Sequence, residues 1–204
     1  MSNSLNSAII VRSDSPYKTL KDLIDFARKN PGKVSSGSPG VGTAAGLAVD
    51  HVITEEKVNI ATVPFDGAVP AITSLLGGHV TACAVSTSGF MPHLKAGKVK
   101  VLATTSEKRL EVTPEVPTLH ELGYPYGVIV EIYLIVAPKG TAPPVVKKLE
   151  GAFRKAMDAP IFRTTAQGFY NYVENPLSGQ ELKKYIEDGY ARNGDIIRKA
   201  KLAK

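Results

Sequence analysis

Cysteine occurs once in the 204 residues, at Cys83. An internal disulfide is excluded, and no second thiolate exists to share a zinc ion. Cys83 sits in the small, apolar run 80–85, where a buried inert thiol is expected rather than a nucleophile. Long apolar runs are equally absent: no stretch of eighteen or more such residues occurs, so no segment reads as a membrane-spanning helix. Residues 1–7 are short and polar and lack the basic and apolar regions of a secretory signal. The chain as written is expected to be mature, truncated or cytosolic. His51, His79, His93 and His120 do not have the spacing of a metal set, so neither metal nor cofactor is expected.

Acidic residues are the minority. Twenty-five Lys and Arg against nineteen Asp and Glu leave a net charge of +6, concentrated late, in Lys147, Lys148, Lys183, Lys184, Arg198, Lys199, Lys201 and Lys204. Aromatics do not alternate with these charges as a single-strand binding groove requires, so no nucleic-acid partner is expected. A solvated basic surface that mildly attracts anions fits better. The hydrophobic share, 43%, suffices for the core of one domain or two small ones.

Short apolar runs alternate with amphipathic stretches, which argues for an α/β fold with a largely parallel sheet. Strands are expected at 8–11, 34–37, 59–63, 80–85 and 98–103. The first helix spans 19–30, capped by Thr19 with Asp22 at the third position, striped by Leu20, Leu23, Ile24 and Ala27, and stopped by Asn30-Pro31-Gly32. A second helix carries Ala44, Leu47, Ala48 and His51 on one face. A third opens at Pro70, striped by Ala71, Ile72, Leu75 and Leu76, and ends at Gly77-Gly78. A short helix is expected at 91–96 and another at 118–122, inside a proline-rich loop. The β-branched run 128–136 reads as a long strand. Two further helices follow, one opened by Pro143-Pro144 with Val146, Leu149, Phe153 and Met157 on one face. The other runs from Ser178, with Glu181 completing a capping box, and carries Leu182, Tyr185, Ile186 and Ile197.

The segment richest in chemistry is the glycine turn 37–43. A helix start leaves backbone N–H groups unpaired and adds partial positive charge. Gly37, Gly40 and Gly42 allow close approach, and Ser38 and Thr43 add hydroxyls, which together make an anion cradle. No lysine follows the last glycine, so the turn is not a nucleotide P-loop, and its glycine spacing is not the dinucleotide fingerprint. Two further strand-to-helix turns, Pro64-Phe65-Asp66-Gly67 and Ser86-Thr87-Ser88-Gly89, converge on the same sheet edge, where ligands of open α/β sheets bind. The bland alternative is that Asp66 and Ser88 are N-caps. A serine hydrolase is the other alternative, using Ser38 or the 86–88 segment in an exposed cleft, although the Gly-x-Ser-x-Gly spacing is missing.

Several segments, in order, resemble the solute-binding proteins of tripartite tricarboxylate transporters, the Bordetella uptake gene family. They are Asn30-Pro31-Gly32-Lys33-Val34 continuing through Thr43, Val63-Pro64-Phe65-Asp66-Gly67, Leu75-Leu76-Gly77-Gly78-His79-Val80, Pro92-His93-Leu94-Lys95-Ala96-Gly97-Lys98, Pro114-Glu115-Val116-Pro117-Thr118, and Ala137-Pro138-Lys139-Gly140-Thr141. The resemblance implies a type II periplasmic-binding-protein fold of two lobes that close on a small carboxylate, without catalysis. It implies ligand contacts from Ser38, Gly40, Val41, Gly42 and Thr43, from Phe65, Asp66 and Gly67, and from Ser86, Thr87 and Ser88. Membrane transporter subunits are the implied partners and the periplasm the implied setting.

Two departures qualify this. The family usually carries a domain-scale stretch before Ala8. Residues 1–12 therefore read as a crossing strand and remnant of lobe 1, 13–126 as the complete lobe 2, and 127–204 as a crossing strand with the C-terminal helices of lobe 1. Uncovered helices in such a partial lobe are expected to promote homodimerisation, strand exchange or poor solubility. Secondly, Val85 stands where the family often has an aspartate, which weighs against an amino-acid ligand and toward plain or aromatic carboxylates.

Overall fold

The computed structural model describes residues 4–127, 131–168, 170 and 177–199. In chain order the elements are β1 (Ser4–Leu5), β2 (Ser7–Arg12), α1 (Leu20–Lys29), β3 (Val34–Ser38), α2 (Ala44–Glu56), β4 (Ile60–Pro64), α3 (Ala68–Leu76), β5 (Ala82–Ser86), α4 (Thr87–Lys95) and β6 (Val99–Thr104). A 3-10 turn (Pro125–Gly127), β7 (Glu131–Ile132), α5 (Pro143–Asp158), α6 (Pro160–Gly168) and α7 (Gly179–Lys199) follow. The chain divides into two units, one of Asn6–Val130 with Arg192–Lys204, the other of Met1–Leu5 with Glu131–Ala191.

The larger unit is a five-stranded sheet ordered β4-β3-β5-β2-β6. β3 is parallel to both β4 and β5, whereas β2 is antiparallel to β5 and β6. Four of the five strands thus point the same way, but β2 is reversed inside the sheet and two of the four pairings are antiparallel, so the sheet is mixed rather than largely parallel as the alternation of strands and helices implied. Ser7–Arg12 is bonded on both sides within this sheet.

The core follows from the sequence periods. Ile9 and Val11 on β2 meet Leu20, Leu23, Ile24 and Ala27 of α1 and Ala45, Ala48 and Val52 of α2. Residues 3 and 4 apart share a helix face, so the stripe of α1 lands on the sheet as one surface. Each Val, Leu or Ile among them stabilises the fold by about 1.5–3 kcal/mol on burial. α1 starts where local chemistry dictates: Thr19 Oγ1 accepts the Asp22 N–H at 3.1 Å, and Asp22 accepts the Thr19 N–H at 2.9 Å.

Several elements depart from expectation. α4 begins at Thr87 rather than near Met91, with Ser86 as its N-cap. Pro92, which usually marks a first turn, lies inside this helix and leaves the Ser88 carbonyl without its helical donor. α3 begins at Ala68, two residues before Pro70. No helix forms at 118–122. Thr118 and Glu121 do exchange capping bonds, at 2.9 and 3.1 Å, but the chain then turns through Gly123, at φ +92°. Of the strand expected at 128–136, residues 128–130 lie outside the described residues, 131–132 form β7, and 133–136 are not strand.

In the smaller unit β1 pairs antiparallel with β7. α5 forms at its double proline, but only Met157 of its expected stripe is buried; Leu149 and Phe153 remain exposed. α6, opened by Pro160, was not foreseen because it follows α5 after a single residue. α7 begins one residue after Ser178, and Ile197 lies outside the described side chains. Val136 and Ile161 are 81% and 76% exposed, and Tyr190 is 84% exposed. Lys184 and Asp188 form an i,i+4 pair at 2.9 Å, the solvated helix surface that the late basic charges implied; Lys201 and Lys204 lie outside the described residues.

Candidate functional site

β3, β4 and β5 are parallel and each runs directly into a helix, so the starts of α2, α3 and α4 lie along one edge of the sheet. The reversed strand β2 begins at that edge, where Asn6 fastens α4: its carbonyl accepts both the Thr87 N–H and the Thr87 hydroxyl, each at 2.8 Å. The sequence-expected site residues are therefore brought together. Phe65 N–H donates to the Ser38 carbonyl at 2.9 Å, and Gly67 N–H to the Pro39 carbonyl at 3.3 Å, lacing the second turn to the first.

The glycine turn has the geometry that its composition requires. Gly42 lies at φ +69°, a left-handed conformation that costs side-chain-bearing residues about 1–2 kcal/mol. A Cβ on Gly37 would come within 3.1 Å of the Phe65 ring and 3.3 Å of Cys83 Sγ, so this glycine lets Phe65 lie against β3. The Ser38 and Thr43 hydroxyls both donate to the Gly40 carbonyl, at 3.2 and 3.1 Å, and fix the loop. Thr43 N-caps α2, its Oγ1 accepting the Gly46 N–H at 3.3 Å.

Those internal bonds leave a contiguous set of donors. The N–H groups of Val41, Gly42, Thr43, Ala44 and Ala45 have no hydrogen-bond partner among the described residues. At α3, Gly67 is the N-cap with no side-chain bond, so Asp66 does not cap; the Ala68 and Val69 N–H groups are also unpartnered, and Pro70 has none. At α4, Ser88 is the second helical residue rather than the cap. Its hydroxyl lies 3.3 Å from that of Ser86. Thr87 is buried and its hydroxyl is committed to Asn6. Asp66 is exposed, while Phe65 and Gly67 are half-buried.

A cavity of about 110 Å3 reaches the glycine turn from the α2 side, lined by Ser36, Ser38, Gly40, Val41, Gly42, Asp50 and Thr62 among others. Phe65, Ser86 and Ser88 lie at the same sheet edge but do not line it. Sequence reasoning missed Asn6, Ser36 and Asp50. Ser36 was accessible, since it shares a strand face with Ser38; Asn6 acts through its carbonyl, which no residue-type signal reveals.

For hydrolysis, a serine needs a base within reach. Among the described residues, the Ser38 hydroxyl bonds only to the Gly40 carbonyl and those of Ser86 and Ser88 only to each other, none to a histidine. His93 lies in the last turn of α4, at the far end from Ser86. Cys83 is fully buried, and desolvation pushes its thiol up to about 12, which makes it inert at neutral pH.

Comparison with known proteins extends this geometry. The "UPF0065 protein in gbd 5'region" of Cupriavidus necator is 36% identical over 197 residues, 96% of this chain and 59% of the relative. The chain spans about three-fifths of the length of the curated relatives that it matches. The periplasmic binding protein BugD superposes with a TM-score of 0.84 at 30% identity, covering 98% of this chain and 67% of BugD. MatC from Rhodopseudomonas palustris, with bound malate, superposes at 0.79 with 25% identity, covering 96% of this chain and 67% of MatC. The α/β fold is thus that of periplasmic solute-binding proteins. Residues 2–202 match the tripartite tricarboxylate transporter family receptor, TctC. With that match running almost end to end, and with the ordered segments of the sequence pointing the same way, the chain belongs to the TctC receptor family.

Proposed function

We propose that this chain is a solute-binding protein that holds a small organic carboxylate at the shared edge of α2, α3 and α4. In this reading it delivers the ligand to the membrane subunits of a tripartite transporter, in the periplasm as BugD's description has it. One observation carries the reading: five consecutive amides, on residues 41–45, have no partner among the described residues at the start of a 13-residue helix. A carboxylate satisfies several such N–H groups at once, each charge-assisted bond contributing about 1.5–3 kcal/mol. Ser38, Gly40, Val41, Gly42 and Thr43 form the principal contact, Phe65, Asp66 and Gly67 the flank, and Ser86 and Ser88 the third side. Thr87 positions α4 through Asn6.

The ligand-bearing lobe in this reading is 13–126. Residues 1–12 and 127–204 belong to the partner lobe, apart from the strand that β2 contributes to the sheet. Malate, the ligand seen in MatC, supports a carboxylate as ligand class. Thermal melting across a panel of small carboxylates is the test. A ligand at a hundred times its dissociation constant stabilises the folded chain by about 2.7 kcal/mol, and the amide analogue of the same acid is expected to do nothing. A panel that leaves the melting point unmoved overturns the reading.

We also infer that the chain self-associates, because exposed Val136, Leu149, Phe153 and Ile161 form apolar surface without cover among the described residues. Light scattering on a sizing column should show a mass above 21.7 kDa that falls toward it on dilution. A monomer at all concentrations contradicts this.

A further inference from the structure

β4 is the outer strand at one edge of the five-stranded sheet. At the other edge β6 carries Lys100, and the segment 117–119 closes its end: Thr104 N–H donates to the Pro117 carbonyl at 3.0 Å, and Leu119 N–H to the Thr104 carbonyl at 2.8 Å. β4 has neither safeguard. Ile60-Ala61-Thr62-Val63-Pro64 contains no charge; Ala61, Thr62 and Pro64 are exposed, and Ile60 and Val63 are half-buried. A neutral open edge is a template for another strand. Its hydrogen-bonding direction follows from its ends. Gly32 N–H donates to the Asn59 carbonyl at 3.2 Å, and Phe65 N–H to the Ser38 carbonyl at 2.9 Å, so residues 59 and 65 face β3. Backbone direction alternates along a strand. Ala61 and Val63 therefore also bond to β3, whereas Ile60 and Thr62 turn their N–H and carbonyl groups outward, joined by the Pro64 carbonyl.

We propose that β4 pairs with the β4 of a second copy of this chain, antiparallel, about a two-fold axis at Ala61. In that register Ile60 lies opposite Thr62 of the other copy, and Thr62 opposite its Ile60. Each such pair exchanges both of its bonds, so every outward N–H and carbonyl of Ile60 and Thr62 is satisfied. Pro64, which has no N–H, falls opposite Val58, whose own N–H is already given to the Ile53 carbonyl at 3.2 Å. Centring the axis on Thr62 instead sets Ile60 opposite Pro64 and leaves the Ile60 carbonyl without a donor. Charge agrees with the register. Residues 58–65 are neutral, and the axis carries Lys57 of each copy toward Asp66 of the other, the exposed and oppositely charged residues that flank the strand. A two-fold pairing is closed, so it stops at two chains. It needs neither a bound carboxylate nor the apolar surface of the smaller unit.

Disulfide trapping in the full chain is the test. Residues facing each other between hydrogen-bonded pairs bring their Cβ atoms to about 4.5–5 Å, within reach of a disulfide after slight adjustment. Cys83 is buried and does not compete. Under mild oxidation Ala61→Cys is expected to form a covalent dimer about ten-fold faster, or more, than Ser13→Cys, an exposed loop position. Adding Thr62→Pro to Ala61→Cys deletes an outward N–H from each copy, at an edge position where proline is tolerated, and should slow trapping about ten-fold. Phe153→Ser, in the smaller unit, should leave trapping unchanged, which separates this interface from the self-association through apolar surface. Ala61→Cys that is trapped no faster than Ser13→Cys overturns the proposal and leaves the edge to water or a foreign strand. So does trapping that survives Thr62→Pro, trapping that Phe153→Ser abolishes, or faster trapping of Thr62→Cys than of Ala61→Cys. If the Thr62→Pro variant fails to fold, undiminished trapping in Lys57→Glu, which sets like charges together across the axis, has the same force.

Discussion

At the scale of single residues, burial separates side chains that look alike in sequence. Cys83 is fully enclosed, and its thiol is pushed up to about 12. It should therefore resist a disulfide reagent in the native protein and react at once in denaturant; fast native labelling would refute its placement. The same raised pKa favours the protonated thiol in the folded state. Stability present at neutral pH is thus lost as pH rises above the ordinary thiol range, where only the unfolded chain ionises freely. Asp50 has the same sign in the acid range, because burial raises its pKa. Asp50→Asn should raise the melting point at neutral pH, an effect that fades as pH falls and the native carboxyl protonates. A destabilised Asp50→Asn at neutral pH would mean that the carboxylate has a partner. Thr43→Ala removes the cap on Gly46 and should cost about 0.5–2 kcal/mol, read as a lower midpoint in urea.

Elements were legible in the sequence where their causes are local. The capping box of Thr19 and Asp22 and the stripe of Leu20, Leu23, Ile24 and Ala27 are all short-range, and α1 appears within a residue of expectation. Leu23 faces the sheet core, so Leu23→Ala should lower stability by about 2–5 kcal/mol, whereas Phe26→Ala, on the exposed side, should cost far less. Equal costs would place the helix face wrongly. Where tertiary contacts decide, the sequence misled. Thr118 and Glu121 form the right local bonds, yet Glu121 is also held by Arg109 and the chain leaves the helical path at Gly123. The helix expected at 91–96 starts four residues earlier, at Thr87, whose N–H and hydroxyl are both accepted by the carbonyl of Asn6, just before β2. The glycine turn was readable from its composition. The cavity behind it was not, because Ser36, Asp50 and Thr62 come from three elements whose proximity only the sheet order reveals.

At the scale of the whole molecule, topology is what turns ordinary helix starts into a candidate site. Parallel β3, β4 and β5 bring three of them to one edge, and β2 enters there in reverse to tie down the third. Unpartnered N–H groups at residues 41–45, 68–69 and 88–89 thereby lie along one sheet edge, with no basic side chain in the three turns. Recognition by neutral donors predicts affinity that falls only mildly with salt, in contrast to a site built from Arg or Lys. The most direct measurement is a 1H–15N titration of the labelled chain with the small carboxylate that most raises its melting point. The account predicts the largest amide shifts at Val41, Gly42, Thr43, Ala44 and Ala45, with smaller ones at Ala68, Val69, Ser88 and Gly89. Saturating shifts confined to other residues, with those five amides unmoved, would contradict it.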